Sequence, residues 1–221
     1  MSVEVSVVVP VHNENENLRP LIEEIVDALS GKASYEIIYV DDGSRDDTLA
    51  RLVLLSKDFP ALRVLRHLRC CGQSTAVRTG VRASRGRVIA TLDGDGQNDP
   101  ANIPRMLEAW RQLTEQGGEA LVAGYRRNRK DTGWRKLSSK IANRVRAFLL
   151  RDATPDTGCG LKLFDRALFL DMPYFDHMHR FLPALAQRCG AQVVSVEVNH
   201  RPRTSGQSKY GTWHRLWVGI W

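Results

Sequence analysis

Three short segments concentrate the residues that could do chemistry in this 221-residue chain. They are Pro10-Val-His-Asn-Glu14, Asp41-Asp42-Gly-Ser44 and Asp93-Gly-Asp95-Gly-Gln97, and each follows an apolar, β-branched run. Together they bring five carboxylates (Glu14, Asp41, Asp42, Asp93 and Asp95), with His12 and Gln97, to the expected ends of strands. Carboxylates gathered on one rim raise one another's pKa unless cations or hydrogen-bond donors offset them. A divalent metal does this, and oxygen-only donors suit Mg²⁺ or Mn²⁺ rather than zinc. Taken singly, each segment has a plainer reading. Asp41–Ser44 fits a turn in which Ser44 or Asp46 caps the next helix, and Asp-Gly pairs are common in loops. The joint placement at three strand ends is what argues for a site.

The elements that must position these residues alternate. Val3–Pro10 is too apolar for a one-faced strand and reads as a central strand buried on both sides. Leu18, Leu21, Ile22, Ile25, Val26 and Leu29 then form one helical stripe, stopped by Gly31. A strand over Tyr35–Val40, a helix with Leu49, Leu52 and Val53, and a strand near Leu62–Leu65 follow. Next come a helix with Ala76, Val77 and Val81, a strand Arg87–Leu92, a helix with Ile103, Met106, Leu107, Trp110 and Leu113, and a strand Ala120–Gly124. Such alternation predicts an α/β domain with a doubly wound, mostly parallel twisted sheet flanked by helices. In open sheets of that kind ligands bind at the carboxyl ends of the strands, where the three segments lie.

Beyond Gly124 the rhythm changes. A strand is expected near Leu161–Phe164, a helix around 177–188 and a strand over Gln192–Val198. Residues 126–151 hold ten Lys and Arg against a single acid, Asp131, in a chain whose net charge is +7. This local basicity points to a local anionic partner. Leu137, Ile141, Val145, Phe148 and Leu149 predict a basic amphipathic helix over 136–151, suited to a membrane interface. An ordinary surface helix with solvated Lys and Arg is the plainer alternative.

The four cysteines show no CxxC spacing and no signal peptide precedes them, so they read as reduced cytosolic thiols. Cys70-Cys71 are expected to be buried near Gly72-Gln73, and His177 and His179 to be exposed or capping. No apolar run approaches the ~20 residues that span a bilayer. The apolar end, 216–221, reads as the possible start of a membrane segment outside this sequence.

Val7-Val-Val-Pro-Val-His-Asn-Glu-Asn-Glu-Asn17, Val40-Asp-Asp-Gly-Ser44 and Thr91-Leu-Asp-Gly-Asp-Gly-Gln-Asn-Asp-Pro100 resemble family 2 glycosyltransferases of the GT-A fold. Arg203-Thr-Ser-Gly-Gln-Ser-Lys-Tyr-Gly211 is similar to the dolichol-phosphate mannose synthase branch, which moves a sugar from a nucleotide to a polyprenyl phosphate. The resemblance implies one GT-A domain over 1–215, with a nucleotide-sugar half to about 125 and an acceptor half from about 126. It implies that Pro10, His12, Glu14, Asp41, Asp42, Asp93 and Gly94 line the nucleotide sugar, and that Asp95 and Gln97 ligate Mg²⁺ or Mn²⁺. Arg126, Arg203, Ser208 and Lys209 match the groups that meet the acceptor phosphate and close on the phosphates, with Asp95, Arg126 and Arg203 catalytic. Gly72, Gln73, Ala76 and Gly80 resemble a helix start under the nucleotide. His12 stands where Tyr is common, and Gly94 and Gly96 replace the more usual Ala and Leu.

A phosphate monoester, with a second pKa of about 6, is already anionic at neutral pH and needs no general base. This fits the reaction that the resemblance implies, an inverting transfer from GDP-mannose or a UDP-sugar to dolichyl or undecaprenyl phosphate at the cytoplasmic face of a membrane. One rival is a hydroxyl acceptor, which requires a base such as Asp156. The other is a non-catalytic basic domain that binds RNA or anionic lipid, and the carboxylate rim makes nucleic acid a poor ligand.

Overall fold

The computed structural model describes residues 2–115, 117–126, 154–199 and 201. Seven strands form one sheet in the order β3-β2-β1-β4-β6-β5-β7. They are β1 (Val5–Val11), β2 (Tyr35–Asp42), β3 (Leu62–His67), β4 (Val88–Thr91), β5 (Ala120–Tyr125), β6 (Lys162–Asp165) and β7 (Gln192–Glu197). The helices are α1 (Leu18–Leu29), α2 (Thr48–Asp58), α3 (Gln73–Ala83), α4 (Ile103–Thr114), α5 (Arg166–Asp171) and α6 (Leu182–Arg188).

The Val-rich β1 pairs in parallel with both β2 and β4 and is covered by a hydrophobic core on each face, which explains its almost continuous apolar run. Val5, Val7, Val9 and Val11 join Leu21, Ile25, Met106 and Trp110 in a core beneath α1 and α4. Val8, Ile38, Val40 and Ile89 face the other way, into a second core with Val77 and Val81 of α3 and Leu168 of α5. Each such side chain contributes about 1.5–3 kcal/mol by leaving water. The chain runs outward from β1 through β2 to β3, then returns to place β4 on the opposite side of β1. A crevice opens at such a reversal, beyond the ends of β1 and β4.

The sheet is mixed rather than wholly parallel. β6 inserts between β4 and β5 and is antiparallel to both. The expected helix around 177–188 is split into a 3₁₀ turn, Met178–Arg180, and α6. His177 (φ 62°) breaks the backbone before the turn. Pro183 has no N–H for a continuing helix but fits the first turn of a new one. No helix among the described residues is long and apolar enough to cross a membrane. The basic segment 136–151, Arg203, Ser208, Lys209 and 216–221 lie outside the described residues.

Candidate active site

The crevice is built by three loops laid against one another. Where β1 ends, His12 Nδ1 meets the Asp42 carbonyl at 2.8 Å. The Asn13 N–H donates to Ser44 Oγ (2.9 Å), and the Arg45 N–H donates back to Asn13 Oδ1 (2.8 Å). The Glu14 N–H donates to Thr48 Oγ1 (3.0 Å), so the β1 and β2 exits form one unit. Ser44 thus serves the β1 loop, while Asp46 Oδ1 accepts the Thr48 N–H (3.1 Å) at the start of α2. The β4 exit presses on the same place. A side chain at Gly94 would strike Val11 and crowd the Pro10 carbonyl at 3.1 Å.

The paired aspartates at the end of β2 differ sharply. Asp42 is turned inward, accepting from His67 Nδ1 (2.7 Å), the Cys71 N–H (2.8 Å), the Gly72 N–H (2.8 Å) and Cys70 Sγ (3.3 Å). Burial works to raise its pKa, but these hydrogen bonds prevail and hold the carboxyl below its ordinary value. Asp41 is 1% exposed; Oδ1 accepts the Ser44 N–H (3.2 Å), and Oδ2 is buried with no partner among the described residues. Leaving such an acceptor unmet costs about 1–3 kcal/mol, more for a charged group, which a ligand N–H or O–H would relieve.

Beyond β4, Asp93 Oδ1 accepts from Gln73 Nε2 (2.8 Å), and the Asp93 N–H donates to Asn98 Oδ1 (3.0 Å). Burial, reinforced by the neighbouring Asp95 charge, raises the Asp93 pKa against the opposing pull of Lys162, Gln73 and Arg126. Asp95 Oδ1 accepts the Gln97 N–H at 3.1 Å, which folds the loop so that both carboxylates share one neighbourhood. A desolvated carboxylate strained by a second one is the setting a divalent cation relieves, and the oxygen donors fit Mg²⁺ or Mn²⁺.

A model of glycosyl transferase family 2 matches residues 6–172. The chain belongs to that family. It is 37% identical over 215 residues to a dodecaprenyl-phosphate galacturonate synthase of Rhizobium johnstonii, covering 95% of this chain and 62% of the relative. It is 35% identical over 215 residues to an undecaprenyl-phosphate 4-deoxy-4-formamido-L-arabinose transferase of Aeromonas hydrophila, covering 96% and 64%. The chain therefore spans less than two thirds of the length of these relatives. Among solved structures it resembles glucosyl-3-phosphoglycerate synthase from Mycobacterium tuberculosis. With Mg²⁺ and UDP bound, that enzyme gives a TM-score of 0.69 at 22% identity, over 91% of this chain and 72% of the other. With Mn²⁺, UDP-glucose and phosphoglyceric acid bound, it gives 0.64 at 25% identity over the same shares. The GT-A fold expected from the motifs is the fold observed.

In this family 2 domain Arg126 at the end of β5 and the stretch 156–162 leading into β6 approach Asp93 from the other side. Arg126 pairs with Asp156 at two points, Nε to Oδ2 at 2.6 Å and Nη2 to Oδ1 at 3.0 Å. Both side chains are nearly buried. Burial lowers the Arg126 pKa, but the Asp156 hydrogen bonds and charge outweigh it, so the net shift is upward. Beneath them Lys162 is buried, its Nζ donating to the Thr157 and Cys159 carbonyls. Desolvation lowers its pKa, opposed by Cys159, Asp93 and Asp156.

Several of these partners were not legible as site residues. Lys162 and His67 had no motif, and Asn98 lay in the Thr91–Pro100 segment without a role of its own, although a lone Lys inside Leu161-Lys-Leu-Phe164 is a signal that charge is wanted there. Arg201 was also missed. Its N–H donates to the Gln97 carbonyl (3.1 Å), and its guanidinium bridges Glu24 and Asp99, each at 2.7 Å. The expectation that Cys70 and Cys71 are buried is wrong; both are exposed, because their loop runs over the outside of the β2 end. His179 is not exposed either: its Nδ1 lies 2.7 Å from Ser74 Oγ, and burial, followed by the charges of Lys162 and Arg180, pushes its pKa down to about 3.

Proposed function

We propose that this chain carries the catalytic domain of an enzyme that moves a sugar from a nucleotide sugar to a polyprenyl phosphate, with inversion at the anomeric carbon. The observation that carries the donor half is the buried Oδ2 of Asp41, unmet among the described residues, at the end of β2 beside Val11 of β1. An N–H of the base or an O–H of the ribose would supply the missing donor. Pro10, His12, Glu14 and Gly94 line the same crevice, and Asp42 contributes indirectly by holding the 70–72 turn. Asp93 would lie near the ribose and sugar.

Asp95 and Gln97 would hold Mg²⁺ or Mn²⁺, which when bound would offset the charge growing on the diphosphate leaving group. Arg126, fixed by Asp156, would orient the acceptor phosphate, with Arg203, Ser208 and Lys209 supplying further positive charge and donors. Both Asp156 oxygens are taken up by Arg126, which argues against Asp156 as a base for a hydroxyl acceptor. The names of the two curated relatives support a polyprenyl-phosphate acceptor. We assign the donor half to about 1–125 and the acceptor half to about 126–215. The enzyme would work at the cytoplasmic face of a membrane, held there through 136–151.

Calorimetric titration of UDP and GDP, each with Mn²⁺ and with EDTA, tests the donor site. One nucleotide should bind in a metal-dependent way, and Asp41→Asn should weaken it at least tenfold. Binding of neither nucleotide would overturn the reading. Turnover on undecaprenyl phosphate but not on undecaprenol tests the acceptor, and equal turnover on the alcohol would refute it.

A further inference from the structure

The sequence His67-Leu-Arg-Cys70-Cys71 lies outside every motif used so far, yet it folds back onto Asp42. One ligand atom each from Asp42, His67 and Cys71 lies within 4.8 Å of the others, and Cys70 Sγ is 3.3 Å from Asp42 Oδ2. The backbone is built for this approach. Gly43 has φ +67°, and any Cβ there would collide with the Arg69 and Cys70 main chain. From the convergence of these four side chains we infer a second cation site, formed by Asp42, His67, Cys70 and Cys71, for a borderline-soft transition metal of the Zn²⁺ class.

The donor set selects the ion. One imidazole nitrogen, one carboxylate oxygen and two sulfurs favour Zn²⁺, Co²⁺ or similar ions, whereas Mg²⁺ and Mn²⁺ prefer oxygen. His67 Nδ1 and Asp42 Oδ1 are 2.7 Å apart, and bond lengths of about 2.0–2.2 Å place tetrahedral neighbours roughly 3.3 Å apart, so these two atoms must open by roughly half an ångström. The exposed cysteines close on the ion by side-chain rotation, with Cys71 Sγ leaving the Arg69 carbonyl that it meets at 3.3 Å. The second shell is in place as well. His67 Nε2 lies 2.9 Å from Thr79 Oγ1, a partner for an Nε2–H that leaves Nδ1 free to ligate. The Cys71 and Gly72 N–H groups stay on the carboxylate and hold it in position.

On binding, two S–H bonds break and two metal–sulfur bonds form, and both protons go to solvent with no change of oxidation state. The Nδ1 proton that His67 donates to Asp42 is given up as the ring takes the Nε2–H tautomer facing Thr79 Oγ1, so that Nδ1 and the carboxylate exchange their mutual hydrogen bond for bonds to the ion. The site shares Asp42 and the 70–72 turn with the donor crevice but uses none of the Asp95 and Gln97 ligands, so it does not depend on the proposed glycosyl transfer.

Cobalt reports on it directly. Purified full chain, reduced and freed of metal, should take up one equivalent of Co²⁺. Thiolate-to-cobalt absorption in the near ultraviolet and tetrahedral visible bands should appear, both bleached by Zn²⁺ and untouched by excess Mg²⁺. Cys70→Ser/Cys71→Ser should abolish the ultraviolet band, and His67→Gln should weaken uptake at least tenfold, with folding of each variant checked by circular dichroism. No band at tenfold excess Co²⁺ would overturn the inference. So would a band that survives in the double serine variant, since it would arise from Cys159 or Cys189.

Discussion

Gly160 and Asp93 compete for one volume: a Cβ on residue 160 would fall on the Asp93 carboxylate. The loop before β6 therefore sets the position of a β4 carboxylate from across the crevice. Gly160→Ala should fold, because the Asp93 side chain can move, but the displaced carboxylate should lower nucleotide-sugar affinity or turnover more than tenfold. Titration and a steady-state assay on the same preparation check this, and wild-type values would remove Gly160 from the site.

Asp93 itself should trade stability for function. Its raised pKa means that it favours the native state fully below the ordinary carboxylate pKa and loses that contribution as pH rises through the higher native value. Asp93→Asn should consequently melt higher at neutral pH, by about 2–4 °C for on the order of 1 kcal/mol, with the gap closing in acid. Turnover should be lost. Melting curves across pH, paired with an activity assay, read both effects.

The opposite sign is expected at Asp42. Its lowered pKa stabilises the fold above the ordinary carboxylate range, and that contribution is lost as pH falls through the depressed native value. Asp42→Asn should cost about 1.5–3 kcal/mol at neutral pH, the range for hydrogen bonds to a charged group, and the difference should shrink toward acid. Urea unfolding of the metal-free protein at several pH values measures it.

Asp95→Asn should abolish turnover and remove the metal dependence of nucleotide binding while leaving the melting temperature close to wild type. Near-normal activity in this variant would sink the metal assignment.

Replacing Lys140, Arg144 and Arg146 with Gln should weaken binding to anionic liposomes more than it slows transfer to a detergent-solubilised acceptor. Equal losses, or unchanged liposome binding, would reject the membrane role of 136–151.

The rim was legible because its chemistry is local. Asp41-Asp42-Gly-Ser44 and Asp93-Gly-Asp95 announce turns at strand ends, and a strand buried on both faces, such as Val5–Val11, has few alternatives. What escaped depends on partners distant in sequence. Nothing in Lys162-Leu-Phe-Asp165 encodes strand direction, so the antiparallel insertion of β6 could not be read. The Arg126–Asp156 pair joins residues 30 apart, and only the fold shows that Asp156 is occupied. Asp41 and Asp42 look equivalent in sequence, yet adjacent strand residues face opposite ways, so one is satisfied by protein and the other is left open. Cys70 and Cys71 were misread because Cys is usually a buried residue, whereas here a turn needed for backbone donors to Asp42 carries them outside.

The contact of Gly94 with Val11 constrains how this sequence can change. A methyl at position 94 has no room while Val11 keeps its branched side chain, and the Pro10 carbonyl must also give by a few tenths of an ångström. The two sites are thus epistatic: Gly94→Ala should be harmful alone and less so after Val11→Ala, so the order in which the two positions change decides whether the intermediate still functions.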